Sequence, residues 1–480
     1  MKVSLLLCVI FLTSISIILA KSTTFKQPQH RQQTQRHYDD NEYSKIMAAG
    51  SVNMGNDGGS DVSTSTFNLA KTILGAGVLS LPAGIASFTD KKEGLFPATI
   101  LLAFMGYVSA YSFSSIGNAC RIHNVPTFSQ AWAKSVSPKS APFISAVVTI
   151  KTFFACLAYS IIIGDTFSSI AKSAALPEFL QSRSNMIMCL TALVITPLNL
   201  LKNLDALKYT SILGLAGILY CGLFITMRLL DGSYISGGQF FDDVPEAFRP
   251  SFGAAADKPW YSIFKLIAMI STAYVAHYSA PRFWTELKVK TMPTYNKVIG
   301  MSFAISAFMY GFIMFAGYLT FGGNSLGFIL NNYSDNDVLA SVSRLAIGLG
   351  ILFGYPLTFC ALRDGVMDLC SMPTAPVEGK MDMKLPVTLV LMTLLTIGGM
   401  TLTNLGTVVA FSGSLIGANL IYTVPALMNI ANIKSEGKSK GKPGEKALSS
   451  KQRMQVNANY GLATMGVLIS VIGVTVTLTG

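Results

Sequence analysis

Charge is what this sequence has least of. Only 12% of its 480 residues are Asp, Glu, Lys or Arg, while 51% are hydrophobic. Soluble domains carry about a quarter charged residues, so a soluble globular class is excluded and a multi-pass membrane chain remains. No soluble domain fits between the apolar runs; the longest connection, near 231–259, is acidic, Gly-rich and too short for a core. Acid is scarcer than base, which gives a formal net charge of +12. That charge is scattered through short loops and tails, with no basic helix or aromatic-interleaved patch, so nucleic acid is excluded as a partner. The seven cysteines lack metal-ligand spacing and mostly sit in apolar runs, as small hydrophobes. Catalytic groups are missing too. Asp165 has no second intramembrane acid to form a dyad, and His277 has no metal-ligating neighbours in sequence. No enzyme activity, catalytic residue, metal or organic cofactor is expected.

What is present is a series of long apolar runs. A bilayer core takes about 20 apolar residues in helix, and such runs fall near 62–86, 94–117, 141–171, 186–201, 206–229, 260–281, 298–322, 338–362, 385–403, 406–430 and 459–479. They predict an all-α membrane protein of about eleven transmembrane helices. The run at 186–201 is short and contains Pro197. With the tail before residue 62 placed in the cytoplasm (or stroma), Lys and Arg concentrate in the loops on that side, as the positive-inside rule requires. The stretch "KSEGKSKGKPGEK" (434–446) then lies on the cytoplasmic side, where it reads as a solvated loop that helps set topology; contact with anionic membrane lipid, at about 1 kcal/mol per basic residue, is the alternative. The one Asn-x-Ser sequon, "NYS" at 332–334, lies beside a span and is expected to stay unmodified.

Residues 1–20, "MKVSLLLCVIFLTSISIILA", have the charged start and apolar core of a secretory signal. Residues 21–61 begin basic and acid-free and become polar and Gly/Ser-rich, as a disordered tail does. The leader reads as a cleaved signal, as the first part of a two-part plastid leader, or as an extra hydrophobic helix. The target membrane is correspondingly open between vacuolar or endomembrane, plasma membrane and plastid envelope. The membrane domain is 62–480, with a first repeat at about 62–230, a second at about 260–430 and a final helix at about 459–479. Nothing in the sequence sets an oligomeric state.

Two spans carry groups that a plain membrane helix avoids. The first, "FNLAKTILGAGVLSLP" (67–82), holds Asn68, Lys71, Thr72 and the sequence Gly75-Ala76-Gly77. A mid-span Lys costs about 2.5–3.5 kcal/mol on insertion scales, and each Gly costs roughly 1 kcal/mol of helix relative to Ala. Five spans later, "WYSIFKLIAMISTAYVAHYSAPRFWTELK" holds Ser271, Thr272, Tyr274, His277 and Pro281. Breakers and ionisable groups thus open each half of the chain, as in transporters built from two inverted halves with discontinuous helices. An unwound Gly-Ala-Gly exposes N–H groups that attract a carboxylate, and carbonyls freed in the sixth span accept from an ammonium. An amino acid supplies both. The competing readings are that Gly75 and Gly77 serve close packing, that Lys71 snorkels and that His277 is a neutral packed side chain. Lys151, Lys265 and Arg344 lie early in their runs and are expected to snorkel or to form ion pairs.

"FNLAKTILGAGVLSLP" resembles the first-helix signature of the amino acid/auxin permease family. "HYSAPRFWTELK" is similar to that family's sixth-helix His followed by Glu-Leu, here His277, Glu286 and Leu287. "GYLTFGGNSLGFILNNYSDND" and "GYPLTFCALRDGV" resemble later segments, in the family's order, so the likeness covers about residues 62–430. It implies a broken-helix 5+5 inverted repeat plus one extra helix, and secondary transport of amino acids coupled to protons or sodium. In sodium-coupled members the residue matching Asn68 and an eighth-helix Thr hold the ion; here Gly354 stands at that Thr position. Lys71 with a sixth-helix His resembles the proton-coupled and organellar members. Tyr278, where a Pro often follows the His, and Pro281, one place early, depart from the pattern.

The expected function is therefore a secondary active amino acid transporter, with a proton favoured as coupling ion and sodium possible. A transporter-like amino acid sensor is the alternative. Expected substrate contacts are Thr72, Gly75, Ala76, Gly77, Ser271, Thr272, Tyr274 and His277; expected ion-coupling residues are Asn68, Lys71 and His277.

Overall fold

The computed structural model describes residues 59–200, 210–253, 258–370, 372, 383–440 and 448–479. The leader and tail expectations for 1–58 lie outside that set. Within it the chain is helical, with only two isolated β-bridges, Ser60 to Leu287 and Ser251 to Gly322.

The helices are α1 (Val62–Ile73), α2 (Leu81–Ala86), α3 (Leu95–His123), α4 (Phe128–Ser135), α5 (Ala141–Ser173), α6 (Arg183–Leu190), α7 (Thr196–Leu200) and α8 (Thr210–Asp231). The second half follows with α9 (Ile263–Tyr274), α10 (Ala280–Glu286), α11 (Met292–Phe321), α12 (Val338–Leu369), α13 (Lys384–Thr401), α14 (Leu405–Ser412), α15 (Val424–Lys440) and α16 (Ser450–Thr479). Sequence sets many of their starts. Asp61, Thr127, Thr291, Asp337 and Asn404 each accept a backbone N–H of the first turn with the side chain, satisfying donors that the helix itself cannot. At the other end of α3, Asn124 closes the helix in the left-handed conformation (φ 49°) that Asn tolerates.

Among the described residues, eight helices are long and apolar enough to cross a membrane, and nine if the bent pair α1–α2 is one span. The eleven expected runs are not all present as single helices. The run near 186–201 is helical from Arg183 to Leu200 but divided by a π turn at Thr191–Ile195. Pro197 lies just beyond it, and a proline removes the N–H that would bond four residues back. The run near 260–281 is divided between α9 and α10. Large apolar side chains face outward, with Tyr107 75% and Leu230 81% exposed, which suits a surface solvated by lipid tails.

One end of the bundle is knit by charge. Arg228 holds Asp337 at 2.8 Å and Asp231 at 2.8 Å, and the Tyr234 hydroxyl donates to Asp337 at 3.0 Å. Arg344 donates to the carbonyls of Leu330, Tyr333 and Ser334, so it is anchored by the loop before α12. Arg183 reaches Asp165 at 2.5 Å and the Gly399 carbonyl at 2.8 Å, joining α5, α6 and α13. The sequon Asn332 is buried, and its amide bonds Leu326, Phe248 and Asn324.

Candidate functional site

Both expected breaks are present, and each follows a helix of twelve residues. α1 ends at Ile73. Leu74 (ψ 83°) and Gly75 (φ −108°, ψ −179°) leave helical geometry, and a tighter turn over Ala76–Ser80 leads into α2. The two pieces meet at 44°. Pro82, in the first turn of α2, lacks a donor where none is needed. α9 ends at Tyr274; Val275 (ψ 92°) and Ala276 (φ −122°, ψ 8°) form the second break, and a turn over His277–Ser279 leads into α10, which also carries a Pro in its first turn.

One side chain serves both breaks. The Tyr310 hydroxyl on α11 lies 2.6 Å from the Ile73 carbonyl and 2.7 Å from the Ala273 carbonyl. These are C-terminal carbonyls of α1 and α9, released where each helix stops. Tyr310 has one proton to donate, so it holds the two breaks beside each other and shares its bond between them. The other carbonyls at the end of α9 are used locally: Thr272 accepts from Val275 N, and Tyr274 from Ala276 N.

A cavity of about 120 Å³ opens against these breaks. Thr72, Gly75, Gly77 and Thr272 line it, with Lys151, Thr152 and Tyr159 of α5, Tyr278, Thr358 of α12, and Val408, Val409 and Ser412 of α14. The glycines are there neither for packing nor for backbone strain. A Cβ on Gly75 would meet only the Ile73 carbonyl at 3.9 Å, and one on Gly77 only ordinary contacts at 3.7 Å and beyond. By contrast, a Cβ on Gly413 would fall 1.8 Å from the Ala268 carbonyl, so that glycine is a packing glycine. What Gly75 and Gly77 preserve is space in the cavity and access to the first N–H groups of the second half-helix.

The other expected substrate residues lie elsewhere. Ser271 is buried and donates back to the Ile267 carbonyl at 2.9 Å, within its own helix. Tyr274 packs on Tyr310 and reaches the Leu102 carbonyl at 3.3 Å. Ala76 contributes its backbone to the turn after the first break. His277 faces α3: its Nε2 lies 3.0 Å from the Ser109 carbonyl and 2.9 Å from Ser112 Oγ, and its ring packs edge-on against Phe113. A carbonyl can only accept, which assigns the proton to Nε2. His277 Nδ1 is then a buried acceptor with no partner among the described residues.

The ion-coupling candidates divide as well. Asn68 is buried, and its carbonyl accepts from Thr72 Oγ1 at 2.8 Å. Lys71 lines a second cavity of about 130 Å³ with Leu74, Gly75, Tyr159, residues of α8, and Gly350 and Gly354 of α12. Gly75 and Tyr159 belong to both cavities, so they form the wall between them. At Gly354 a Cβ would meet nothing within 4 Å. The second cavity's lining holds no carboxylate and no Ser or Thr hydroxyl.

Sequence reasoning missed Tyr310, Lys151, Ser412 and Thr358. Lys151, expected to snorkel or pair, instead faces the first cavity. It lies ten residues into α5, about 15 Å along the helix axis at 1.5 Å per residue, and is only 9% exposed. Ser412 lines the same cavity, and its hydroxyl is buried without a partner among the described residues.

The model of the family described as "Transmembrane amino acid transporter protein" matches residues 58–479. The chain belongs to this family. Similar relatives include Vacuolar amino acid transporter 5 of Schizosaccharomyces pombe, 29% identical over 63% of this chain and 68% of its own length. Amino acid transporter AVT6E of Arabidopsis thaliana is 24% identical over 77% of this chain and 76% of its own. A provisionally named sodium-coupled neutral amino acid transporter 11 of Bos taurus is 25% identical over 76% and 74%. Among solved structures, the inward-facing conformation of Mhp1 superposes with a TM-score of 0.52 and 11% identity, covering 89% of this chain and 94% of that one. That likeness concerns the fold alone, the broken-helix inverted-repeat arrangement expected from the sequence. Membership in the transmembrane amino acid transporter family makes this a multi-pass membrane transporter rather than an enzyme. The segment Gly323-Asn324-Ser325-Leu326-Gly327 has the spacing of a hydrolase nucleophile elbow, but Ser325 Oγ donates to the Gly322 carbonyl at 2.8 Å. The described histidines are engaged elsewhere, His123 with Asn432 and His277 with α3.

Proposed function

We propose that this protein is a proton-coupled secondary transporter that carries an amino acid through the cavity between its two broken helices. The observation that carries this reading is the convergence of both breaks on one cavity. The first N–H groups at Gly77 lack helical acceptors and carry the positive end of the α2 dipole, a place for the substrate carboxylate. The sixth-span carbonyls first expected to take the ammonium are largely used by Tyr310 and by local turns. The Ser412 hydroxyl, which has no other partner among the described residues, replaces them as acceptor.

Proton coupling draws support from two places. The second cavity is lined by Lys71 and Gly354 and has no carboxylate or Ser or Thr hydroxyl where a sodium site would need oxygen ligands. His277 Nδ1 offers a buried acceptor at the second break, without another partner among the described residues, an atom able to take up a proton. Ion and substrate would then act on the same pair of breaks. The distribution of Lys and Arg supports a cytoplasmic or stromal side for the tail before residue 62.

The test is uptake of labelled amino acids into proteoliposomes under an imposed pH gradient or an imposed sodium gradient. Accumulation under the pH gradient without sodium is expected. A strict sodium requirement would remove the proton from the account. Binding without uptake under either gradient would favour a sensor.

A further inference from the structure

We infer that Lys151 is the counter-charge for a second carboxylate on the substrate, so that the cavity selects amino acids of net charge −1, those with a carboxylate side chain. The inference rests on the amino acid transport reading above and narrows it to a substrate class.

Lys151 is 9% exposed and lines the cavity. Among the described residues its ammonium makes no hydrogen bond or ion pair, and the cavity lining contains no Asp or Glu. The single acid of α5, Asp165, is held by Arg183 at 2.5 Å and Asn331 at 3.0 Å. A charge taken out of water without a partner is costly, and proteins seldom retain one without use. A second, independent observation lies on α14, where the buried Ser412 hydroxyl is also unpartnered at the same cavity. Two orphaned polar groups on different helices, lining one cavity, point to a ligand that completes both.

The charge of that ligand follows from charge balance within the cavity. A zwitterion brings no net charge, so the cavity would keep the uncompensated positive charge of Lys151 however its groups were arranged. A cationic amino acid would place a like charge beside it. Only a substrate of net charge −1 leaves the closed cavity neutral. Its α-carboxylate goes to the N–H groups at Gly77, its ammonium to Ser412, and its side-chain carboxylate to Lys151. The carboxylate and the Lys151 ammonium each favour the other's charged form. Glutamine and asparagine have nearly the same shape as glutamate and aspartate but leave the ammonium unpaired. A site built around a buried polar group rejects the analogue that leaves it unpaired far more strongly than it rejects a small change in size.

The experiment is uptake of labelled L-glutamate, L-aspartate, L-glutamine, L-asparagine and L-lysine by the full chain in proteoliposomes. Wild type is expected to favour the acids over their amides by at least about tenfold in kcat/KM, with lysine excluded. Lys151→Met should collapse that ratio through loss of acid uptake, and Lys151→Arg should restore part of it. Equal use of acids and amides by wild type would overturn the inference, as would a proportional fall in both with Lys151→Met. If Lys151→Met does not fold, the wild-type ratio and Lys151→Arg decide. Uptake of amides without acids would leave the transport reading standing and remove charge matching alone. No uptake of any amino acid would remove both.

Discussion

Gly75 and Gly77 show how a small residue can be read once its surroundings are known. In the sequence, a glycine pair in a membrane span suits either close packing or a break. The contacts decide: neither position would clash with a Cβ, and neither has a positive φ. Gly77→Val is therefore expected to keep the fold, with an unchanged melting temperature in detergent, while uptake falls at least tenfold. A large loss of stability would return the glycine to a packing role. His277 poses a different case, since it lies away from the cavity, against Ser109 and Ser112. His277→Ala should flatten the dependence of uptake on pH while leaving substrate binding at fixed pH measurable. An unchanged pH profile would exclude it as the proton site.

The broken helices are where the sequence was most informative, and also where it stopped. Gly75, Gly77 and Pro281 disfavour a continuous helix by known physics, so the breaks were legible from residue type and position alone. The residues that organise them were not. Tyr310, Lys151 and Ser412 look like ordinary members of apolar runs, because in a membrane both the lipid face and the core face are apolar and no alternation reveals the phase of each helix. Only packing sets which side of α11 meets both breaks. Tyr310→Phe removes the donor shared by the Ile73 and Ala273 carbonyls. A buried carbonyl left unpaired costs about 1–3 kcal/mol, so Tyr310→Phe should lower the melting temperature and slow uptake together. A variant with normal stability and normal uptake would show that the hydroxyl does not hold the breaks. The fourth run was legible as helix, but its π turn beside Pro197 was not, since a proline can be absorbed by a kink as readily as by a bulge.

Ion pairs tie one end of the bundle, and they bear on how access alternates. One end is bound by Arg183–Asp165, Arg228–Asp337 and the Arg344 carbonyl cluster. Removing one partner of a buried pair strands the other charge. Asp165→Asn should therefore destabilise the protein more than Arg249→Gln, whose partner Asp242 is 90% exposed; equal effects would mean that solvent already screens the Arg183 pair. The Arg183 contacts join α5, α6 and α13 and the Arg228 pair joins α8 to the N-cap of α12, so their strength also affects how readily that end opens. The most direct test of the whole account is uptake of a labelled amino acid panel by proteoliposomes, with either a pH gradient or a sodium gradient imposed. Concentrative uptake driven by the pH gradient in the absence of sodium is the expected result. Uptake that requires sodium and ignores the pH gradient would contradict it.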